Sequence, residues 1–145
     1  MKKFLSIIAV LMLIFASCDN GNIIGGRYFG TFHNTTNDIR EEGSLNFKHY
    51  NINNTTYFLV NGILPMKQID ENKYSTAAEG NLLEDFLETI PVIDSLHVCD
   101  SAATILRLDK LEVEFKGGSA KTTFQFFTTN VIDSIVEVEF VGYIE

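Results

Sequence analysis

Cys18 and Cys99, the histidines at 33, 49 and 97, and 19 acidic residues are the side chains of this 145-residue chain with chemistry beyond packing. A thiol can attack a carbonyl, bind a metal, close a disulfide or accept an acyl chain. His33, His49 and His97 are scattered, without the paired ligand spacing of zinc or calcium sites, so no metal is expected. The carboxylates come as Glu41-Glu42, Glu84-Asp85, Glu112/Glu114 and Glu137/Glu139. Glycoside hydrolysis needs two carboxylates facing one another across a cleft. These pairs instead fall along outward faces of a strand or helix, where they solubilise. There is no Gly-x-Ser-x-Gly motif and no phosphate loop, and Gly25-Gly26 precedes a strand rather than joining strand to helix. The residues therefore predict no catalytic site, no cofactor and no enzyme. Cys99, in Leu96-His97-Val98-Cys99, reads as a small buried side chain.

Cys18 reads differently because of what precedes it. Lys2 and Lys3 are followed by an apolar run from Phe4 to Phe15, broken only by Ser6. That run is shorter than the ~20 residues a membrane-spanning helix needs. It has the length of the apolar core of a signal peptide. Phe15-Ala16-Ser17-Cys18 then resembles a bacterial lipobox, with a bulky apolar residue, two small residues and the cysteine. The resemblance implies cleavage of residues 1–17, diacylation of the Cys18 sulfur and a polar tether over 18–25. Acyl chains contribute about 0.8 kcal/mol per buried CH₂, so two or three of them anchor stably. The address implied is the bacterial envelope, as an outer-membrane lipoprotein facing either the periplasm or the cell surface, with the lipid bilayer as its partner.

With Cys18 acylated, Cys99 has no cysteine left for an intramolecular disulfide. The net charge of -8 excludes nucleic acid as a natural partner, since phosphate binding needs clustered Lys and Arg. Asp94-Ser95-Leu96, Asp100-Ser101-Ala102 and Asp133-Ser134-Ile135 resemble the Asp-Ser/Thr-apolar acceptor of Bacteroidetes O-glycosylation, which would modify Ser95, Ser101 or Ser134.

The elements that would carry these residues are mostly strands. Arg27–His33 alternates, with Tyr28, Gly30 and Phe32 on one face; Gly43–Tyr50 places Leu45, Phe47 and His49 together. Thr56–Leu64 reads as a third strand ended by Pro65, and 74–77 as a short fourth. Leu82, Leu83, Phe86, Leu87 and Ile90 recur at helical spacing opposite Glu84, Asp85 and Glu88, which predicts an amphipathic helix over about 82–90, stopped by Pro91 and capping one end of a sheet. Val92–Cys99 fits either a strand or an irregular edge. Leu106–Phe115 turns at Lys116-Gly117-Gly118-Ser119 into Thr122–Thr128, and Ile135–Tyr143 is the last strand. One polar and one apolar face marks antiparallel sheet wetted on one side. About eight such strands with one short helix predict a mostly β single domain, a barrel or a sandwich.

Gly26-Arg27-Tyr28-Phe29-Gly30-Thr31-Phe32, the hairpin at Gly117-Gly118 and the ending Val138-Glu139-Phe140-Val141-Gly142 are similar to the small calycin-like β-barrel lipoproteins of Bacteroidetes, over residues 26–145. The resemblance implies a barrel that can hold an apolar ligand, as lipocalins do. Tyr28, Phe47, Tyr57, Phe124, Phe126 and Phe140 would then line a site for a small apolar or glycan-like molecule. The alternative is an accessory protein whose aromatics fill the core and whose outer surface docks on an envelope protein. Internal space separates the two. A cavity of roughly 300 Å³ or more speaks for a ligand, and a filled core with an exposed apolar patch speaks for a partner.

Overall fold

The computed structural model describes residues 25–99, 104–129 and 134–145. The chain forms nine strands: β1 Gly26–Asn34, β2 Ile39–Ile52, β3 Thr55–Val60, β4 Leu64–Pro65, β5 Lys67–Asp70, β6 Lys73–Glu79, β7 Thr104–Lys116, β8 Ser119–Thr129 and β9 Ser134–Ile144. Helix α1, Gly80–Glu88, and a 3₁₀ turn, Pro91–Ile93, lie between β6 and β7. Every ladder is antiparallel, in the order β4-β3-β2-β1-β9-β8-β7-β6-β5. The sheet curls into a nearly closed barrel. Its seam lies between β4 and β5, which only Met66 separates in sequence. The Met66 amide donates to the Phe58 carbonyl at 2.7 Å. Inside the seam the Phe58 and Tyr74 rings meet at 4.7 Å, so β3 and β6 touch through side chains where no ladder joins them.

The count of nine rather than about eight reflects two strands gained and the 92–99 segment lost as a strand. The expected strand 56–64 breaks at Asn61 and Gly62, both with positive φ, and yields β3 and β4. Pro65 sits in the two-residue β4 at the sheet edge, where its missing N–H costs no ladder bond. Lys67–Asp70, wholly exposed and without apolar alternation, supplies a strand with no pattern to reveal it. The helix starts two residues earlier than the periodicity predicts and stops at Glu88. There the Thr89 hydroxyl donates back to the Phe86 carbonyl at 2.6 Å and receives the Asn61 amide at 2.9 Å. Residues 92–99 are the 3₁₀ turn and further turns, not a strand.

Alternation sets the core. Tyr28, Phe32, Leu45, Phe47, Leu111, Val113, Phe115, Phe124, Phe126, Val138 and Phe140 all point inward and are buried. α1 adds Leu83 and Phe86, and the turns after it add Ile90, Leu96 and Val98, closing one end as the amphipathic pattern predicts. This lid is held from both sides. Asn34, itself buried, donates to the Leu96 carbonyl at 3.0 Å, and Asn61 holds Thr89. The opposite end carries the hairpins at Asn53-Asn54 and Gly117-Gly118 and both ends of the described barrel, where the Glu145 amide donates to Arg27 at 3.0 Å.

Asn34, Thr122 and Thr128 are buried polar residues among the described ones, and one of them is unpaired. The Thr122 hydroxyl is fully buried and has no hydrogen-bond partner among the described residues. A buried unpaired hydroxyl costs on the order of 1–3 kcal/mol in desolvation. Thr122→Val keeps the shape and removes that cost, so it is expected to stabilise the barrel by about 1 kcal/mol. A urea melt checks this, and a lower midpoint for the variant would mean the hydroxyl is satisfied.

Candidate functional site

The barrel interior is the first place to seek a ligand site, and rings occupy it. Near the hairpin end, Phe115 lies 5.6 Å from Tyr28, 5.1 Å from Phe47, 6.0 Å from Phe58 and 6.0 Å from Tyr74, centre to centre. Near the lid, Phe32 meets Phe140 at 4.6 Å and Phe124 at 6.1 Å, and Phe124 stacks on Phe126 at 5.8 Å. Such separations are those of aromatic side chains in direct contact. Burial pushes the Tyr28 phenol above the usual tyrosine range.

Five of the six residues expected to line a site are therefore in the interior: Tyr28, Phe47, Phe124, Phe126 and Phe140. Tyr57 is not. It pairs with Tyr50 on the outside of the barrel and is 41% exposed, while its neighbour Phe58 turns inward. In Tyr57-Phe58-Leu59-Val60 every residue is apolar, so no alternation reveals which parity faces the core. Phe32, Phe58, Tyr74 and Phe115 belong to the same interior. Phe115 had a signal, since it shares its parity with Leu111 and Val113.

Three inward glycines let these rings fit. Gly43, Gly30 and Gly142 stand side by side across β2, β1 and β9. A Cβ on Gly43 would come within 2.9 Å of the Phe32 ring, and one on Gly142 would overlap the Phe140 ring. The space that side chains would take there is already taken by the two phenylalanines.

The remaining chemical candidates stay apart. His33 bonds Asp38 at 2.8 Å, His49 lies against the Phe58 ring at 4.7 Å, and His97 is exposed in the turn after Ser95. The His33 hydrogen bond, followed by the Arg40 charge, holds the Asp38 carboxyl below its ordinary range. No group of three His, Cys, Asp or Glu side chains able to hold a metal occurs among the described residues. Glu112 pairs with Lys110 at 3.1 Å and Glu114 with Lys73 at 4.0 Å on the barrel exterior. Cys99 is half-buried against the core. Of the serines in Asp-Ser motifs, Ser95 is exposed in the lid. Ser134 is half-buried, its hydroxyl 3.1 Å from that of Thr128. Ser101 and the lipobox cysteine, Cys18, lie outside the described residues. No helix among the described residues is long and apolar enough to cross a membrane.

The outer wall carries exposed apolar side chains. Phe29 and Tyr143 face each other across the β1–β9 ladder, with Val141 one step along β9, and they are 45%, 65% and 42% exposed. Beside them, a cleft of about 180 Å³ opens between β2 and the lid, lined by Phe29, Phe32, Gly43, Ile90, Pro91 and Val92 among others. A second groove of about 360 Å³ runs along α1 between Leu82 and Arg107, but Arg107 is engaged there by Asp109 and by the Phe127 ring, 4.0 Å from its guanidinium. Sequence reasoning missed the outer patch because Phe29, Val141 and Tyr143 sit at polar-parity positions, and nothing local distinguishes an exposed aromatic from a buried one. Comparison with protein-family models, curated proteins and solved structures gives no match for this chain.

Proposed function

We propose that this protein is a lipid-anchored docking module of the bacterial envelope rather than a ligand carrier. One observation carries the reading: the interior aromatics are in contact with one another and with the glycines behind them, and so occupy the volume a ligand would need. The exposed Phe29, Val141 and Tyr143 supply the complementary feature, an apolar patch on an outer face. The lipobox at Phe15–Cys18 supplies the anchor, and the first described residue, Gly25, leads into β1 at the hairpin end. The tether then holds that end towards the bilayer and presents the lid away from it. Every charged side chain of the lid segment, Glu79, Glu84, Asp85, Glu88 and Asp94, is acidic, which suits a face turned away from anionic lipid.

Two measurements test this. Cys18→Ser is expected to move the protein from the membrane fraction to the soluble one, since loss of the acyl chains removes the anchoring energy. Retention of that variant in salt-washed membranes would sink the anchor. A fluorescent apolar probe titrated into the wild-type protein is expected to show no saturable binding. Stoichiometric uptake of one probe per barrel would instead identify a ligand carrier.

A further inference from the structure

We propose that the partner for the outer patch is a second copy of this chain, packed face to face on the β2-β1-β9-β8 wall about a two-fold axis that runs along the strands between β1 and β9. This rests on the docking reading above and names the partner. The wall has room for it. The lid residues Thr89–Val92 lie along the β2 edge, to one side. The side chains that would make the contact, Arg27, Phe29, Glu42, Lys121, Val141 and Tyr143, are all exposed.

The register fixes which residues such an axis brings together. Glu42, Thr31, Val141 and Lys121 form one row across the four strands. Ser44, Phe29, Tyr143 and Ser119 form the next outward-facing row towards the hairpin end. A two-fold axis along the strands lays β1 of one copy on β9 of the other, and β2 on β8, in the aligned manner of packed sheets. Phe29 then meets Tyr143 of the other copy, Thr31 meets Val141, and Glu42 meets Lys121, each contact occurring twice. In the flanking rows Arg27 meets Glu145 and His33 meets Glu139. Aromatic pairs at the centre with charges around them are the usual anatomy of a protein interface.

Charge complementarity is what points to a copy of the same chain. No two like charges meet in these rows. They hold three cations, Arg27, Arg40 and Lys121, against three anions, Glu42, Glu139 and Glu145, in a chain whose net charge is -8. The wall is therefore neutral, so the self-repulsion of an acidic protein is least there. Neither Glu42 nor Lys121 has an ion pair among the described residues. Arg27 and Glu145 approach only to 3.8 Å and are more than half exposed, so both can turn to a second copy. The axis also agrees with the anchor. It keeps both hairpin ends, and both copies of Gly25, on one side, as two chains held in one bilayer require. An axis across the strands would invert one copy. Its residues 18–24, at most ~25 Å when fully extended, would have to run back along a nine-residue β1 of ~30 Å.

The test uses the full chain in nonionic detergent. Sedimentation equilibrium is expected to find a dimer at micromolar concentration, and zero-length carbodiimide coupling is expected to join Glu42 to Lys121. Within one chain these two lie three strand spacings apart, roughly 14 Å, so a cross-linked peptide carrying both identifies two copies. Glu42→Lys and Lys121→Glu each set like charges against one another at two symmetric points. Each is expected to raise the dissociation constant about tenfold. An equimolar mixture of the two variants recreates both pairs between unlike copies and is expected to dimerise like the wild type. Melting curves that match the wild type show that the variants fold. A monomer throughout the micromolar range, a dimer indifferent to either reversal, or a mixture no tighter than its components would each overturn the proposal. With the apolar probe still excluded, any of these removes the second copy alone, whereas uptake of the probe removes the docking reading itself.

Discussion

Phe115→Ala is expected to lower the unfolding free energy by about 4 kcal/mol, within the range for truncating a fully enclosed phenylalanine. Phe115 is 2% exposed and is the ring that Tyr28, Phe47, Phe58 and Tyr74 all meet. Because Phe58 and Tyr74 come from β3 and β6, on either side of the seam, the same ring couples the two halves of the open sheet. Its removal should therefore loosen the seam as well as empty the core. Urea unfolding followed by circular dichroism measures the loss, and amide exchange of β3 and β6 locates it. The cavity left behind should also admit benzene or a similar small apolar molecule, raising the melting temperature of the variant but not of the wild type. Tyr57→Ala, on the outer wall, is the control and should stay within about 0.5 kcal/mol of wild type. If Phe115→Ala costs no more than that, the rings do not form a packed interior, and the barrel has room for a ligand.

Gly30→Ala is expected to cost about 3 kcal/mol, at the upper end of the usual overpacking range. A Cβ at Gly30 would collide with the carbonyl oxygen and carbon of Val141 and with the backbone of Gly142. Those atoms belong to β9, whose ladder to β1 and β8 holds the barrel wall together, and backbone cannot rotate aside as a side chain can. The strands must separate to admit the methyl group, so the loss should appear as a fall in melting temperature of roughly 10 °C for a domain of this size. Gly117→Ala gives the comparison. Gly117 has φ of 56° but nothing within 4 Å of an added Cβ. Its substitution carries only the left-handed backbone penalty of about 1–2 kcal/mol. Equal losses at the two sites would mean that β1 and β9 do not approach as closely at Gly30 as described.

Much of this architecture is written locally. Over Lys110–Lys116 of β7, Thr123–Phe126 of β8 and Val136–Phe140 of β9 apolar and polar residues alternate, so Leu111, Val113, Phe115, Phe124, Phe126, Val138 and Phe140 could be assigned inward from pattern alone, and all are buried. The lid helix follows from the spacing of Leu83, Phe86 and Ile90, even though its ends are displaced. Where neighbouring residues are all apolar, as at Tyr57-Phe58, or polar but for one exposed isoleucine, as at Lys67–Asp70, the two-residue period is silent. There the partner strand sets the orientation. The outer apolar patch was still less legible. Phe29 and Tyr143 each stand at the polar parity of their own strand, and only the β1–β9 register sets them side by side.

The residues taken by themselves determined the strand-and-turn pattern, the inward parity of the late strands and the amphipathic lid, because side-chain period and turn preference are properties of a few consecutive residues. Tertiary structure alone decided which inward rings meet one another, that Phe58 rather than Tyr57 faces the interior, and that β2 outruns its neighbour. Each of these depends on which distant strands pair, in what register and over what length, and a pairing between segments far apart in the chain leaves no mark on either segment alone.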